Sequence, residues 1–343
     1  MLEQLSQRLI GYRVKAAREA AGWTQDRLAE AMDLKDRQSV SDIENGKRAL
    51  KPDELVLLTD TLDRELDFFL DPFQVVGEAQ FSWRASPGLA EDSLDGFELR
   101  AGQWIGLLRW LREKEQDRFN PLKHTLRLTA QSSYEDVIAR AESLVEALDL
   151  GVVPAERLAE KIEEELDIPV LYVDTIETPE GDSISGATCH LQDMGMILIN
   201  RNEPETRRFF DLAHELFHAL TWDAMKPDHR ESNSVEDRAK GKRIEQLANN
   251  FAAALLMPQA SLANLINLNW IGTETRDALQ QEHQRPSVAG TPKRFSPAFI
   301  NMLHRAIDRG HLSARKAAKA MGATLTQLVD LFAEHSLPTP FEL

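Results

Sequence analysis

Phe210-Asp211-Leu212-Ala213-His214-Glu215-Leu216-Phe217-His218-Ala219-Leu220 is the stretch on which the reading of this chain turns. Phe210, Leu212, Ala213, Leu216 and Leu220 recur at helical period, which predicts a helix over residues 206–221. His214 and His218 stand four apart, so both imidazoles share one helical face about one turn from each other, a spacing that suits two zinc–nitrogen bonds. Glu215 points to the side from which a carboxylate can take a proton from metal-activated water. Five residues of this pattern also arise by chance, so the surrounding sequence must decide.

A catalytic zinc needs a third protein ligand. A glycine and third histidine following closely are absent, because Ala224 stands where that histidine would be. Another spacing lands on Asp237, in a polar segment without an apolar stripe. Glu245 is better placed: Ile244, Leu247, Ala248, Phe251, Ala252 and Leu255 make a continuous buried face on a second helix, over residues 243–257, able to hold a ligand rigidly. His229 and Glu236 compete less well, in a loop with little packing support.

Outward from these helices, residues 134–149 and 155–166 are helical by period, whereas 168–173, 184–191 and 195–200 read as short strands between turn residues, which places a small sheet among helices. Residues 73–84, with Phe81 and Trp83, read as one more short strand. Phe97, Ala101, Trp104, Ile105, Leu108 and Leu111 form one apolar helical face, suited to the core or to a dimer contact. Gly272, Pro286, Gly290, Pro292 and Pro297 mark 271–297 as a linker, and a helical tail runs on to about residue 334.

The segments Ile184-Ser185-Gly186-Ala187, Ile197-Leu198-Ile199-Asn200, Arg208-Phe209, Ala213-His214-Glu215, Glu245 with Ala248-Asn249, and Phe251-Ala252 through Leu255-Leu256-Met257-Pro258 together resemble the ImmA/IrrE metallopeptidase family over about residues 131–260. The resemblance implies a zincin-like domain with a small antiparallel sheet, zinc held by His214, His218 and Glu245, and Glu215 as general base and acid. Phe217 stands where many members have glycine. Tyr172, His190 and His229 are candidates to steady an oxyanion, and Cys189 is a candidate reversible zinc ligand, weighed against a plain buried strand cysteine.

The N-terminal segment reads differently. Thr24 can cap a helix running to Met32, a break follows at Asp33-Leu34, and a second helix runs from Arg37 to a stop at Gly46. Leu28, Val40 and Ile43 can share a core, and Ala29 is small where the helices cross. Gly22-Trp23-Thr24-Gln25 with Val40-Ser41-Asp42-Ile43-Glu44-Asn45-Gly46-Lys47 resembles the Xre family of lambda-repressor-like DNA-binding domains, over about residues 7–70. The resemblance implies a five-helix domain that presents Arg37, Gln38, Ser41 and Asp42 to base edges, with Gln25, Lys47 and Arg48 near phosphates. Asp33 replaces the usual turn glycine, which aspartate tolerates better than most residues.

The whole chain, 343 residues with net charge -16, is acidic, yet residues 8–51 hold ten Lys and Arg against seven Asp and Glu. A locally basic segment on an acidic protein suits nucleic-acid binding without indiscriminate attachment. Hydrophobic content of 42% and charged content of 28% argue against disorder, and no internal repeat is present. The longest apolar run, residues 251–258, is too short to span a bilayer, and the charged N-terminus lacks a signal-peptide core, so a cytoplasmic protein is expected. A single cysteine excludes an intramolecular disulfide.

The expected fold class is α+β and mostly helical. The expected order is a helix-turn-helix domain (1–71), a connecting strand and helix (72–130), a zinc metallopeptidase domain (131–262), then a linker and helical tail (263–343). Ser313 to Leu328 imitates a second helix-turn-helix, but its last helix is too apolar and acidic to read a groove, which favours a structural or dimer role. The combined resemblance implies a dimeric repressor on a double-stranded DNA operator that cleaves itself or an Xre-type repressor in a stress or mobile-element response. The competing readings are an antitoxin-like partner of a toxin, a ligand sensor, and a housekeeping peptidase.

Overall fold

The computed structural model describes residues 7–115, 125–179, 181–191, 194–230, 238–261 and 290–342. Asp237, Glu236 and most of the expected linker at 271–297 lie outside them.

Five helices open the chain: α1 (Gln7–Ala20), α2 (Gln25–Ala31), α3 (Arg37–Glu44), α4 (Pro52–Leu62) and α5 (Leu66–Leu70). Val14, Leu28, Val40, Ile43, Leu58 and Phe69 close a core among them. Thr24 caps α2 by accepting the Arg27 N–H at 3.2 Å, and Asp36 caps α3 by accepting the Ser39 N–H at 2.9 Å. Asp33 takes the left-handed turn at φ 50°, as its side chain permits. The tightest approach of α1 to α3 is at Gly11, where a Cβ would lie 2.4 Å from the Ile43 carbonyl oxygen. Glycine in a helix interior ordinarily costs up to about 1 kcal/mol relative to alanine, but here the backbone contact reverses the sign. Gly11→Ala is expected to destabilise this domain by about 1–3 kcal/mol. Thermal unfolding and DNA binding check it, and a raised melting temperature would contradict the close approach.

The remaining described elements are β1 (Gln80–Ala85), α6 (Glu91–Lys114), α7 (Tyr134–Ala147), α8 (Pro154–Leu166), β2 (Val170–Val173), β3 (Ile184–His190), β4 (Gly195–Asn200), α9 (Glu205–Thr221), α10 (Arg238–Leu256), α11 (Pro297–Asp308), α12 (Ala314–Met321) and α13 (Leu325–Glu334). The strands form one sheet in the order β1-β3-β4-β2. It is mixed rather than antiparallel as expected: β1 with β3 and β3 with β4 are antiparallel, but β2 and β4 run parallel. The cause is the connection after β2, which carries the chain past the place of β4 so that β3 returns on its far side and β4 lands beside β2.

Side chains alternate between two cores, as the strand pleat requires. Phe81, Trp83, Leu171, Ala187, Cys189 and Leu198 face α6 and α11–α13. Val170, Ile197 and Ile199 face α7–α10, joined by Leu212, Leu216 and Phe251. The apolar face of α6, Phe97 through Leu111, is buried inside the chain. The tail helices α12 and α13 turn at Gly322 (φ 65°), bury Ala318, Met321, Leu328 and Phe332, and accept the Trp104 indole N–H at the Met321 carbonyl, 3.1 Å away. Arg13 is wholly buried and donates to the Phe69 and Gln74 carbonyls at 2.8 and 2.7 Å, which fastens α1 to the chain leaving α5. No helix among the described residues is long and apolar enough to cross a membrane.

Candidate metal centre and nucleic-acid interface

Burial of Leu212, Ala213, Leu216 and Phe217 fixes the rotation of α9 between the sheet and α10. That rotation turns His214 and His218, both 2% exposed, toward Glu245 of α10. His214 Nε2 lies 3.1 Å from Glu245 Oε2, His218 Nε2 lies 3.4 Å from Oε1, and the two Nε2 atoms are 3.0 Å apart. One ligand atom from each residue falls within a 4.8 Å span. His214 Nδ1 is 3.0 Å from Asn249 Oδ1, one turn beyond Glu245. An amide oxygen only accepts, so it assigns the proton to Nδ1 and leaves Nε2 as the lone-pair donor. Two ring nitrogens and a carboxylate that converge this closely in a buried place fit a divalent cation.

The ionisation states are mixed: burial opposes charge on His218, yet the Glu245 and Glu215 carboxylates outweigh burial and raise its pKa. Burial lowers His214 to about 4. Burial would raise Glu245, but the two histidine rings beside it outweigh burial and hold the carboxyl far below the usual range. Glu215 lines the same cavity as the cluster and rests on the sheet at Thr188, and burial pushes it up to about 7 against the pull of His218, Thr188 and Arg84. Thr188 Oγ1 of β3 lies 2.8 Å from Glu215 Oε2 and 2.9 Å from its backbone oxygen. Beneath it, a Cβ at Gly186 would come within 3.5 Å of Glu215 Cγ and 2.9 Å of the Leu198 carbonyl, so glycine lets the helix settle on the strand.

A cavity of about 230 Å³ opens over the cluster, lined also by Trp83 and Arg84 of β1 and by Lys242 of α10. The segment 228–230 lies along β1: the Trp83 N–H donates to the His229 carbonyl at 2.8 Å and Ser82 Oγ to the Asp228 carbonyl at 2.9 Å.

The other candidates are scattered. The His229 ring sits 2.6 Å from Glu98, whose hydrogen bond raises its pKa. His190 stacks on Trp222 at 5.2 Å, and burial lowers it. Tyr172 lies on β2, at the opposite edge of the sheet from β1, with its phenol raised to about 12 by burial. Cys189 is fully buried on the sheet face away from α9, and burial raises its thiol. None of these four joins the metal cluster. Thr188 and Arg84 escaped the sequence reading, and Asn249 entered it only as part of the motif around Glu245, without a role. Asn249 alone carried a signal, its place one helical turn after Glu245.

On α3, Arg37 and Gln38 are exposed. Arg37 Nε donates to Gln25 Oε1 at 3.2 Å, and Gln25 Nε2 donates to Glu44 Oε2 at 2.6 Å. Glu44 in turn binds Arg18 at 2.6 Å, so a buried ion pair orients Gln25. Gln38 Nε2 donates to Asp42 Oδ1 at 2.9 Å, which draws the Asp42 charge toward its own helix. Ser41 and Asp42 are half-buried, Lys47 is exposed, and Arg48 pairs with Glu54.

Comparison with known families matches residues 14–69 to a helix-turn-helix model and residues 163–285 to the IrrE N-terminal-like domain of peptidase family M78. Among solved structures, the apo form of ComR from S. thermophilus aligns over 95% of this chain and 94% of that chain. Its 11% identity and TM-score of 0.18 carry no structural argument. No curated protein matches the sequence. The chain therefore carries a helix-turn-helix DNA-binding domain followed by a peptidase M78, IrrE N-terminal-like domain with a His214/His218/Glu245 cluster consistent with a zinc metallopeptidase.

Proposed function

We propose that the protein is a transcriptional regulator, a repressor, whose second domain is a zinc-dependent endopeptidase acting on itself or on a partner regulatory protein. The observation that carries this is the buried Glu215 carboxylate beside a three-residue metal cluster, at the floor of an open cleft, in a chain that begins with a DNA-binding domain. Zinc bound by His214, His218 and Glu245 would supply Lewis acidity to a peptide carbonyl and to water. Glu215 accepts the proton of the attacking water at its carboxylate and delivers it to the departing amine. Thr188 orients that carboxylate, and Asn249 keeps His214 in the tautomer that presents Nε2. Incubation of the purified chain with and without zinc, alone and with an Xre-type repressor, tests the reading by mass spectrometry. Zinc-dependent fragments support it, and intact protein in every mixture overturns it.

One observation favours a second reading. The segment 228–230 occupies the edge of β1 above the cleft, where an extended peptide would pair. A zinc fold retained for ligand sensing or for an antitoxin-like partnership would tolerate that cover permanently, whereas a peptidase must displace it.

For the DNA-binding domain, Arg37 and Gln38 have the chemistry for bidentate contacts with guanine and adenine. One small module gives limited affinity, so a dimer on a two-fold operator follows. Arg37→Ala is expected to cost about 1–3 kcal/mol at one base position. Equal weakening on all sequences in a binding titration would instead assign Arg37 to phosphate.

A further inference from the structure

Arg84 is the least expected feature of the cleft. It lies outside residues 163–285, so the matched peptidase domain does not account for it. Because Phe81 and Trp83 are given to the opposite core, Ser82 and Arg84 fall on the α9 side of the sheet. Arg84 Nε lies 3.2 Å from Oδ1 of Asp211, which is 1% exposed, and the guanidinium carbon lies 5.7 Å from the Phe210 ring centroid. An ion pair that includes no hydrogen bond to the Asp211 oxygens, together with the Phe210 ring, places the guanidinium beside α9, one turn before His214 and Glu215. Asp211 is also 3.7 Å from Arg207, so Arg84 does not face its charge alone. Among the described residues, Nη1 and Nη2 of Arg84 make no hydrogen bond, while the residue lines the cavity that holds His214, Glu215 and Glu245. Lys242 lines the same cavity.

The remaining edge of the guanidinium is thus a pre-positioned, partly desolvated fork, the geometry that binds a carboxylate through two parallel N–H donors. A residue needed only to neutralise Asp211 would not have to present free donors to a cleft. We infer that Arg84 is a substrate-specificity residue, which receives a carboxylate of the peptide in the cleft and selects an Asp or Glu side chain next to the bond to be cut. The inference rests on the peptidase reading.

The test uses the full-length, zinc-loaded Glu215→Gln protein, which holds peptide without cutting it, and fluorescent peptides of identical sequence except for one position. The first carries Glu there with an amidated C-terminus, the second carries Gln with an amidated C-terminus, and the third carries Gln with a free terminal carboxylate. The Glu peptide is expected to bind at least about tenfold more tightly than its amidated Gln counterpart. Arg84→Gln is expected to erase the difference, and Arg84→Lys to restore part of it. Arg84→Gln leaves Asp211 buried beside fewer charges, so the Arg84→Gln/Asp211→Asn pair, which removes both, guards against misfolding and is checked by its circular dichroism spectrum. Equal binding of all three peptides, or a preference that survives both Arg84→Gln variants, overturns the inference. Tightest binding of the third peptide moves the carboxylate to the chain terminus and overturns the side-chain assignment. Failure of every peptide to bind overturns it as well, while zinc-dependent fragmentation by the wild-type chain reports separately on the peptidase reading.

Discussion

Glu245→Ala is expected to remove the metal. The wild-type chain should hold about one zinc after dialysis, bound through His214, His218 and Glu245. His214 and His218 share one helix and close only one side of the site, whereas Glu245 reaches both Nε2 atoms from α10, at 3.1 and 3.4 Å. Its loss leaves two neutral imidazoles facing each other with no anion, and affinity should fall at least about a hundredfold. The fold should persist, because Leu247, Ala248 and Phe251 dock α10 through its other face. Metal analysis against a chelator series, alongside a DNA-binding titration that stays unchanged, checks both halves. Full zinc occupancy in this variant would move the third ligand elsewhere, and Asp237→Ala should leave occupancy intact.

Glu215→Gln separates chemistry from structure. The side chain is buried, held by Thr188 Oγ1 at 2.8 Å, and is not among the three residues of the candidate metal cluster. Glutamine keeps its size and can still accept the Thr188 hydroxyl, so zinc content and DNA binding are expected to survive. What disappears is a group able to take a proton from water, and proteolysis should drop by at least about a hundredfold. Cleavage at an unchanged rate would show that another base serves. Lost regulation in a system where no cleavage ever occurs would transfer Glu215 to ligand sensing.

These two residues also mark how far the sequence reaches. His214, Glu215 and His218 are legible because the i, i+4 spacing is a property of a single helix and needs no partner to be read. The two helices of the N-terminal motif are legible for the same reason, since the Thr24 cap and the turn at Asp33 are local chemistry, whereas the count of five helices came from the family resemblance. Glu245 stands between: its apolar neighbours Ile244, Leu247 and Phe251 announce a buried helix, but only packing of α10 against α9 brings the carboxylate to the histidines.

The rest depends on contacts between distant segments. A period-two pattern tells which face a strand buries and not which strand lies beside it, so the strands alone left the pairing open and the parallel β2–β4 pair replaced the antiparallel sheet that the family resemblance implied. For the same reason nothing in residues 80–85 announced that β1 would add itself to β3 and set Arg84 in the cleft. Gly11 reads as an unfavourable helix residue until Ile43 is placed 2.4 Å from its missing Cβ. The tail, which imitates a DNA reader in sequence, spends its apolar face covering the sheet with α6. Helical period, local caps and the His214/His218 pair of the candidate metal site could be read from the chain because each arises within one or two turns of it. Tertiary structure decided strand order, close approaches and the walls of the cleft, because each depends on two segments whose separation in sequence carries no record of their meeting.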